Sequence, residues 1–352
     1  MSVSPFDHPF LCGLLGDEEV ASCFSAQADI DAMVAFEVAL ASAEAAEGLI
    51  PAEAGVAIAG ALARFAPNVE QLRAGTARDG VVVPSLVQQL RSTVGEPHGV
   101  HVHYGATSQD VIDTSLAVRL ARAIAIIENR TRIVVEALNA LEERDGAVEV
   151  MAHTRMQAAL PVTAARKIAS WGRPLRRALD PTCGGVPHVS YLTLWGAVGT
   201  REKFAGKGGA VAQRIADELG LRSPQAVQHS ERDGPARLAS WLSLVTGALG
   251  KMGQDIALMA QSEIGEVRLA SGGGSSAMPH KVNPVGAEVL VTLARFNATL
   301  VSGMHQSLVH ENERSGAAWT LEWMLLPQMV VATGASLRTA TELLASLSFA
   351  RR

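Results

Sequence analysis

The sequence predicts an all-α protein, a bundle of long helices standing behind a smaller N-terminal helical domain. Three observations carry this expectation. Aromatic residues make up only 4% of the 352 residues while hydrophobic residues make up 48%. That balance, rich in alanine and leucine, suits helices and lacks the β-branched and aromatic residues that sandwiches and barrels use. From about Asp113, apolar residues then recur at three- and four-residue steps over roughly thirty residues, far beyond the usual helix of about 11–12. Lastly, Leu238, Leu242, Val245, Leu249, Met252, Ile256 and Met259 advance in 4-3-4-3-4-3 steps. Such a heptad seam needs a neighbouring helix at a shallow crossing angle.

Taken in order, the first hundred residues are short helical patches broken by turn formers. Asp29 to Glu47 is the clearest, with Ile30, Met33, Val34, Val38, Leu40 and Ala41 on one broad face, and Gly48 and Pro51 end it. Pro67-Asn68, Gly80, Pro84 and Gly95-Glu96-Pro97 punctuate the remainder of this region. The long helix carries Leu116, Leu120, Ile124, Ile127, Thr131, Val134, Leu138 and Leu141, and the heptad helix comes after it. Pro284 opens a further helix at its first turn, where proline is favoured, with Val289, Leu293, Phe296, Leu300 and Met304 on its face. A last helix runs from near Thr320 to Leu347, with a kink expected at Pro327. The organisation expected is an N-terminal domain over residues 1–105 and a central bundle over residues 106–350.

Composition excludes several function classes. A net charge of −5, without a basic stripe, argues against a nucleic-acid partner, because phosphate neutralisation needs clustered Lys and Arg. Cys12, Cys23 and Cys183 share no metal-ligand spacing and read as reduced, mostly buried thiols of a cytosolic protein. The N-terminus MSVSPFDHPF has no basic region followed by an apolar run, so no secretory leader is expected. No run of 18 apolar residues is free of charge, so no membrane span is expected either.

Long helices need only turns between them, yet three junctions are dense in small polar and charged residues. The first is His101-Val-His-Tyr-Gly-Ala-Thr-Ser-Gln-Asp110, just before the long helix. Thr107, Ser108 and Asp110 are good N-cap types, and free N–H groups at a helix start attract anions. An ordinary N-cap explains one hydroxyl and leaves the rest open. The second is Met151-Ala-His-Thr-Arg-Met-Gln-Ala-Ala-Leu-Pro161, read as an irregular segment that points His153, Thr154, Arg155 and Gln157 toward a cleft. The third is Ser271-Gly-Gly-Gly-Ser-Ser-Ala-Met-Pro-His-Lys-Val-Asn-Pro284, where three glycines permit an open, mobile loop. It is no P-loop, for lack of a GK[ST] at the required spacing, and no dinucleotide fingerprint, for lack of a preceding strand.

Those three segments, in this order, resemble the motifs of the fumarase/aspartase superfamily. GSSAMPHKVNP is similar to its SSxMPxKxN signature, HYGATSQDVIDT to its first motif and HTRMQAALP to its second. GATSQDVIDT in full, the early FSAQADIDAMVAFEVALASAEAAEGLIP, and Glu313-Arg314 through Trp319, Glu322 and Trp323 resemble the branch that lactonises 3-carboxy-cis,cis-muconate. The resemblance implies a small N-terminal helical domain, a central five-helix bundle, and homotetramers whose active sites draw the three motifs from different chains. It also implies that the small C-terminal domain usual in the superfamily is absent here. The substrate implied is a small tricarboxylate of protocatechuate (β-ketoadipate) catabolism, handled without metal or organic cofactor.

By the same resemblance, Ser275 is the catalytic base, with Ser276 beside it, and Lys281 binds a substrate carboxylate and steadies the enolate-like intermediate. Asn283, Thr107, Ser108, His103, Thr154, Gln157 and Arg314 contact substrate. One departure stands out. Many superfamily lyases carry T-H-x-Q in the second motif, with that histidine paired to a glutamate thirteen residues after the catalytic serine. Here Arg155 replaces the histidine, and the glutamate is Glu288. The expectation is an Arg155–Glu288 charge pair, with Arg155 staying protonated and anchoring a substrate carboxylate. The nearest rival is another superfamily lyase, such as adenylosuccinate lyase, which usually retains the histidine. A rival of a different class is a non-catalytic structural homologue, which intact Ser275, Lys281 and Asn283 argue against.

Overall fold

The computed structural model describes residues 3–270, 272–274, 278 and 281–350. Two short helices, α1 (Cys12–Leu15) and α2 (Glu18–Ser22), lead into α3 (Ala26–Ala46), α4 (Ala52–Leu62), α5 (Val69–Asp79) and α6 (Val83–Val94). The long helix α7 runs from Ser108 to Asp145, eight residues longer than its apolar periodicity shows. A hairpin of β1 (Glu149–Thr154) and β2 (Gln157–Thr163) follows, then α8 (Ala164–Leu179), α9 (Gly208–Leu219), α10 (Asp233–Met259), β3 (Val267–Leu269), α11 (Val285–Gln306), α12 (Ala317–Ser346) and β4 (Leu347–Phe349). Helix α12 continues through Pro327.

Two large cores organise these elements, with a small third cluster of Val289, Leu293, Ala332 and Ala335 between α11 and α12. The bundle of α7, α8, α10, α11 and α12 encloses the larger one, and every residue of the α10 heptad seam is buried in it, from Leu238 through Met259. The apolar stripe of α7 from Leu120 to Leu141 faces the same core. The second core gathers α3, α4, α5 and α6, and recruits α9 together with Leu192, Leu194 and Phe204 from the middle of the chain. Helices α1 and α2 leave that group. Val20 packs into the bundle core, and Arg130 of α7 pairs with Asp17 and Glu19.

Two sequence expectations need correction. The second polar junction is not irregular. It forms an antiparallel hairpin with a register shift between Met151 and His153, and its tip residues Arg155 (φ 49°) and Met156 (φ 66°) are both left-handed. Successive left-handed residues match a type I′ turn, whose twist suits a two-residue hairpin. The cysteines are not mostly buried either. Only Cys23 is, while Cys12 is half-buried and Cys183 exposed, and all three are free thiols. Helix α11 is, by length and composition, apolar enough to cross a membrane. It carries Glu288 and Arg295, however, and packs lengthwise on α10 and α12.

Candidate active site

Helix α7 sets the geometry. Its first turn carries the first motif, and its last turn leads directly into the hairpin of the second. At about 1.5 Å per residue, 38 residues separate these ends by roughly 55 Å. The third motif lies at the hairpin end. Glu266, just before β3, accepts a hydrogen bond from Met151 N–H at 2.6 Å, Arg144 donates to Leu347 C=O at 2.5 Å, and Ala270 N–H bonds Ser346 C=O at 2.9 Å. Helix α12 starts at the opposite end, which returns Arg314 to the first motif. A single chain therefore groups His103, Thr107, Ser108 and Arg314 at one end of the bundle. Thr154, Arg155, Gln157, Lys281, Asn283 and Glu288 stand at the other.

At the first end, Thr107 caps α7, and Asp110 reaches back to its N–H at 3.0 Å. The Asp110 carboxylate is fully buried. It also accepts from Trp195 N–H (2.8 Å) and Gly196 N–H (2.9 Å), and His229 Nε2 lies 3.0 Å away. Arg314 threads into the same knot, donating to Gln109 Oε1 (2.8 Å), Thr107 Oγ1 (3.3 Å) and Ala197 C=O (3.2 Å). Below it, Arg232 bonds both Asp113 and Glu322 through two nitrogens each, and Trp319 Nε1 donates to Asp113 at 3.0 Å. Burial opposes the charge on Arg232, and the two carboxylates outweigh it, so its pKa rises above that of an ordinary arginine. This clamp ties α7 to α12 and fixes where the α7 N-terminus points.

His103 and Ser108 line a cavity of about 520 Å³ together with Arg91, Gln88 and Ser92 of α6. Arg91 is itself held by Val102 C=O. The positive end of α7, an imidazole and a guanidinium thus meet at one cavity, whose other wall is the apolar Val83, Pro84 and Val87, and these three groups suit a carboxylate. A larger cavity, about 1330 Å³, runs along α7 and α10 beside the segment 179–193, and none of the sequence-predicted site residues lines it.

At the other end, Thr154, Arg155 and Gln157 are exposed on the hairpin, and Lys281 is exposed after the glycine loop. Ser275 and Ser276 lie outside the described residues. On either side of them the loop is pinned, since Gly273 and Asn283 exchange both backbone hydrogen bonds (3.0 and 2.8 Å) and Asn283 Nδ2 donates to Gly274 C=O. The expected openness is therefore corrected at Gly272 and Gly273, where the absent Cβ allows close approach of the two arms. A Cβ at Gly272 would overlap Val282 and stand 2.9 Å from Asn283 O. Among the described residues, no ion pair joins Arg155 to Glu288, which is exposed in the first turn of α11.

The sequence reading missed the clamp. Arg232 stands between Glu231 and Asp233 and reads as part of a solvated helix start. Asp113 did leave a signal, an acid in register with the buried Ala117 and Leu120.

Comparison with known proteins bears on this arrangement. A protein-family model described as lyase matches residues 18–298. The 3-carboxy-cis,cis-muconate cycloisomerase of Acinetobacter baylyi is 35% identical over 339 residues, 94% of this chain and 75% of that protein. The crystal structure of the 3-carboxy-cis,cis-muconate lactonizing enzyme from Pseudomonas putida superposes with a TM-score of 0.89 at 32% identity, covering 97% of this chain and 77% of the other. That of a fumarate lyase from Mesorhizobium sp. BNC1 gives 0.88 at 34% identity, covering 95% and 76%. The chain thus spans about three quarters of the length of these relatives. With the family model covering most of its residues, the chain belongs to this lyase family, the fumarase/aspartase superfamily whose three motifs its sequence carries.

Proposed function

We propose that the chain is a cycloisomerase that closes 3-carboxy-cis,cis-muconate to 4-carboxymuconolactone in protocatechuate catabolism, acting in the cytosol. The observation that carries the reading is its likeness, over more than nine-tenths of its length, to enzymes named for that reaction.

The reaction is an isomerisation. One carboxylate oxygen attacks an alkene carbon and closes a five-membered lactone. The displaced π pair moves to the neighbouring α-carbon and onto its carboxylate as an aci-carboxylate, and the α-carbon then takes a proton. Ser275 gives that proton and regains one from solvent. Lys281 and the loop N–H groups stabilise the aci-carboxylate, because fixed donors in a water-excluded site favour developing negative charge. No electron or group transfer occurs, so the chemistry calls for no cofactor. The substrate's carboxylates are held by Thr107, Ser108 and His103 at the start of α7, by Thr154, Arg155 and Gln157 on the hairpin, and by Asn283, with Arg314 behind the first group. Glu288 and Ser276 support the loop.

These residues stand at opposite ends of one bundle, so the working site is an assembly of chains, and a homotetramer is the arrangement we infer. Exposed Met156 and Leu160 on the hairpin, Leu244 on α10 and Met324 on α12 provide apolar contact surface.

Loss of the conjugated-diene absorbance of 3-carboxymuconate tests the reading directly. We expect turnover by the wild type and a loss of roughly 10²–10⁴-fold in kcat for Ser275→Ala. No turnover of the triacid, alongside release of fumarate from a succinyl compound, would instead identify an elimination lyase.

A further inference from the structure

Residue 103 is held in a way that its place in the first motif does not explain. Its backbone is left-handed, with φ 62°, a conformation that costs a non-glycine residue energy and persists only where surroundings fix it. The imidazole Nδ1 lies 2.6 Å from Glu37 Oε1. Glu37 belongs to α3, sixty-six residues earlier, and its side chain is completely buried. A carboxylate at Nδ1 fixes the ring's orientation and leaves Nε2 as its working atom. The ring lines the cavity that Arg91 and Ser108 share.

We propose that Glu37 is a positioning residue for the reaction: it grips His103 by Nδ1 so that Nε2–H is presented to a substrate carboxylate in the cavity beside Ser108. The identity of that carboxylate rests on the lactonisation reading, whereas the Glu37–His103 pair stands on geometry alone.

The charges around the ring agree with this role. Burial disfavours the imidazolium, but Glu37 outweighs it and Asp110 of α7 adds to it, while Arg91 of α6 opposes; the net effect raises the pKa of His103. Glu44, two turns further along α3, is the remaining acid nearby. It is fully buried, and burial together with Glu37 pushes it up to about 9, so it is uncharged at neutral pH. Of these two buried acids, Glu37 is the one that faces His103.

The test uses the isosteric Glu37→Gln, which keeps a hydrogen-bond acceptor for Nδ1–H and removes the charge, and His103→Gln as an independent second variant. Tricarballylate, a saturated triacid, serves as a probe that needs no turnover. By calorimetry, wild-type binding should weaken as pH rises through the His103 titration. In Glu37→Gln that weakening should begin about one pH unit lower, within the 1–3 units that an opposite charge moves a neighbour. For 3-carboxymuconate, both variants should raise KM roughly tenfold with kcat little changed, the signature of lost uniform binding. The double variant should be no worse than either single one. The inference is overturned if tricarballylate affinity and its pH profile stay at wild-type values in a folded Glu37→Gln. A structural role alone would lower the melting temperature and leave both untouched. Should Glu37→Gln fail to fold, an unchanged KM and tricarballylate affinity in His103→Gln overturn it equally. If the wild type binds the probe with this pH profile but turns over no triacid, the lactonisation reading fails and the pairing survives.

Discussion

Glu44 shows how one residue in this fold costs stability. Among the described residues, neither of its carboxyl oxygens has a hydrogen-bond partner, and the residue is fully buried. With its pKa at about 9 against an ordinary 4.5, the folded protein keeps a proton that the unfolded chain releases. Between those values the unfolded state binds fewer protons, so stability must fall as pH rises, by about 1.4 kcal/mol per pH unit. Glu44→Gln removes the titration at nearly constant shape. We expect it to melt above the wild type, with a gap that widens from pH 5.5 to pH 8 by on the order of 3 kcal/mol. Calorimetric melts at the two pH values decide the matter, since a gap of constant size would mean that Glu44 is ionised inside the fold. Such an acid retained beside Glu37 fits a protein that gives up stability where the site is built.

Among the elements, the bundle helices were legible and the hairpin was not, and the reason is physical. The stripes of α7, α10, α11 and α12 face a core within the same chain, so burial impresses a helical period on the sequence. The hairpin enters the core of its own chain only at its base, through Val150 and Val162. Most of β2 is exposed, Ala158-Ala159-Leu160-Pro161 shows no alternation, and Arg155-Met156 lacks the Asn-Gly signature of its turn. The candidate site was legible as three motifs and illegible as a buried network. Glu37, lying between Phe36 and Val38 in an alanine-rich helix, gives no sign that it points inward at His103. The glycine loop was read as freedom, and its described arms are instead in close contact. Gly272→Ala should therefore separate Gly273 from Asn283 and shift Lys281. A misplacement of about 1 Å can cost roughly 10²-fold in rate, so we expect kcat to fall tenfold or more. The melting temperature should hold, because this loop lies outside both cores. A variant with wild-type kcat would show that the Gly273–Asn283 pairing has no part in turnover.

At the scale of the whole molecule, the length of α7 keeps the proposed site residues of one chain apart. The first motif begins the helix, while the hairpin and the glycine loop lie at its far end, roughly 55 Å away by helical rise. In the homotetramer we propose, antiparallel packing of bundles would bring the first end of one protomer to the second end of another, and closed symmetry would repeat that junction at every site. Light scattering should then return a mass near four times 36.9 kDa. Mixed assemblies test the junction itself. A Thr107→Val/Ser108→Ala chain lacks the hydroxyls of the first motif, and a Ser275→Ala chain lacks the proton donor of the third; each alone should be nearly inactive. After unfolding together in equal amounts and refolding, a site that takes its first motif from one chain and its loop from another is intact in about one quarter of random combinations. Activity should therefore recover toward a quarter of the wild-type value. If each chain held a whole site, every site would carry one lesion or the other, and mixing would restore nothing.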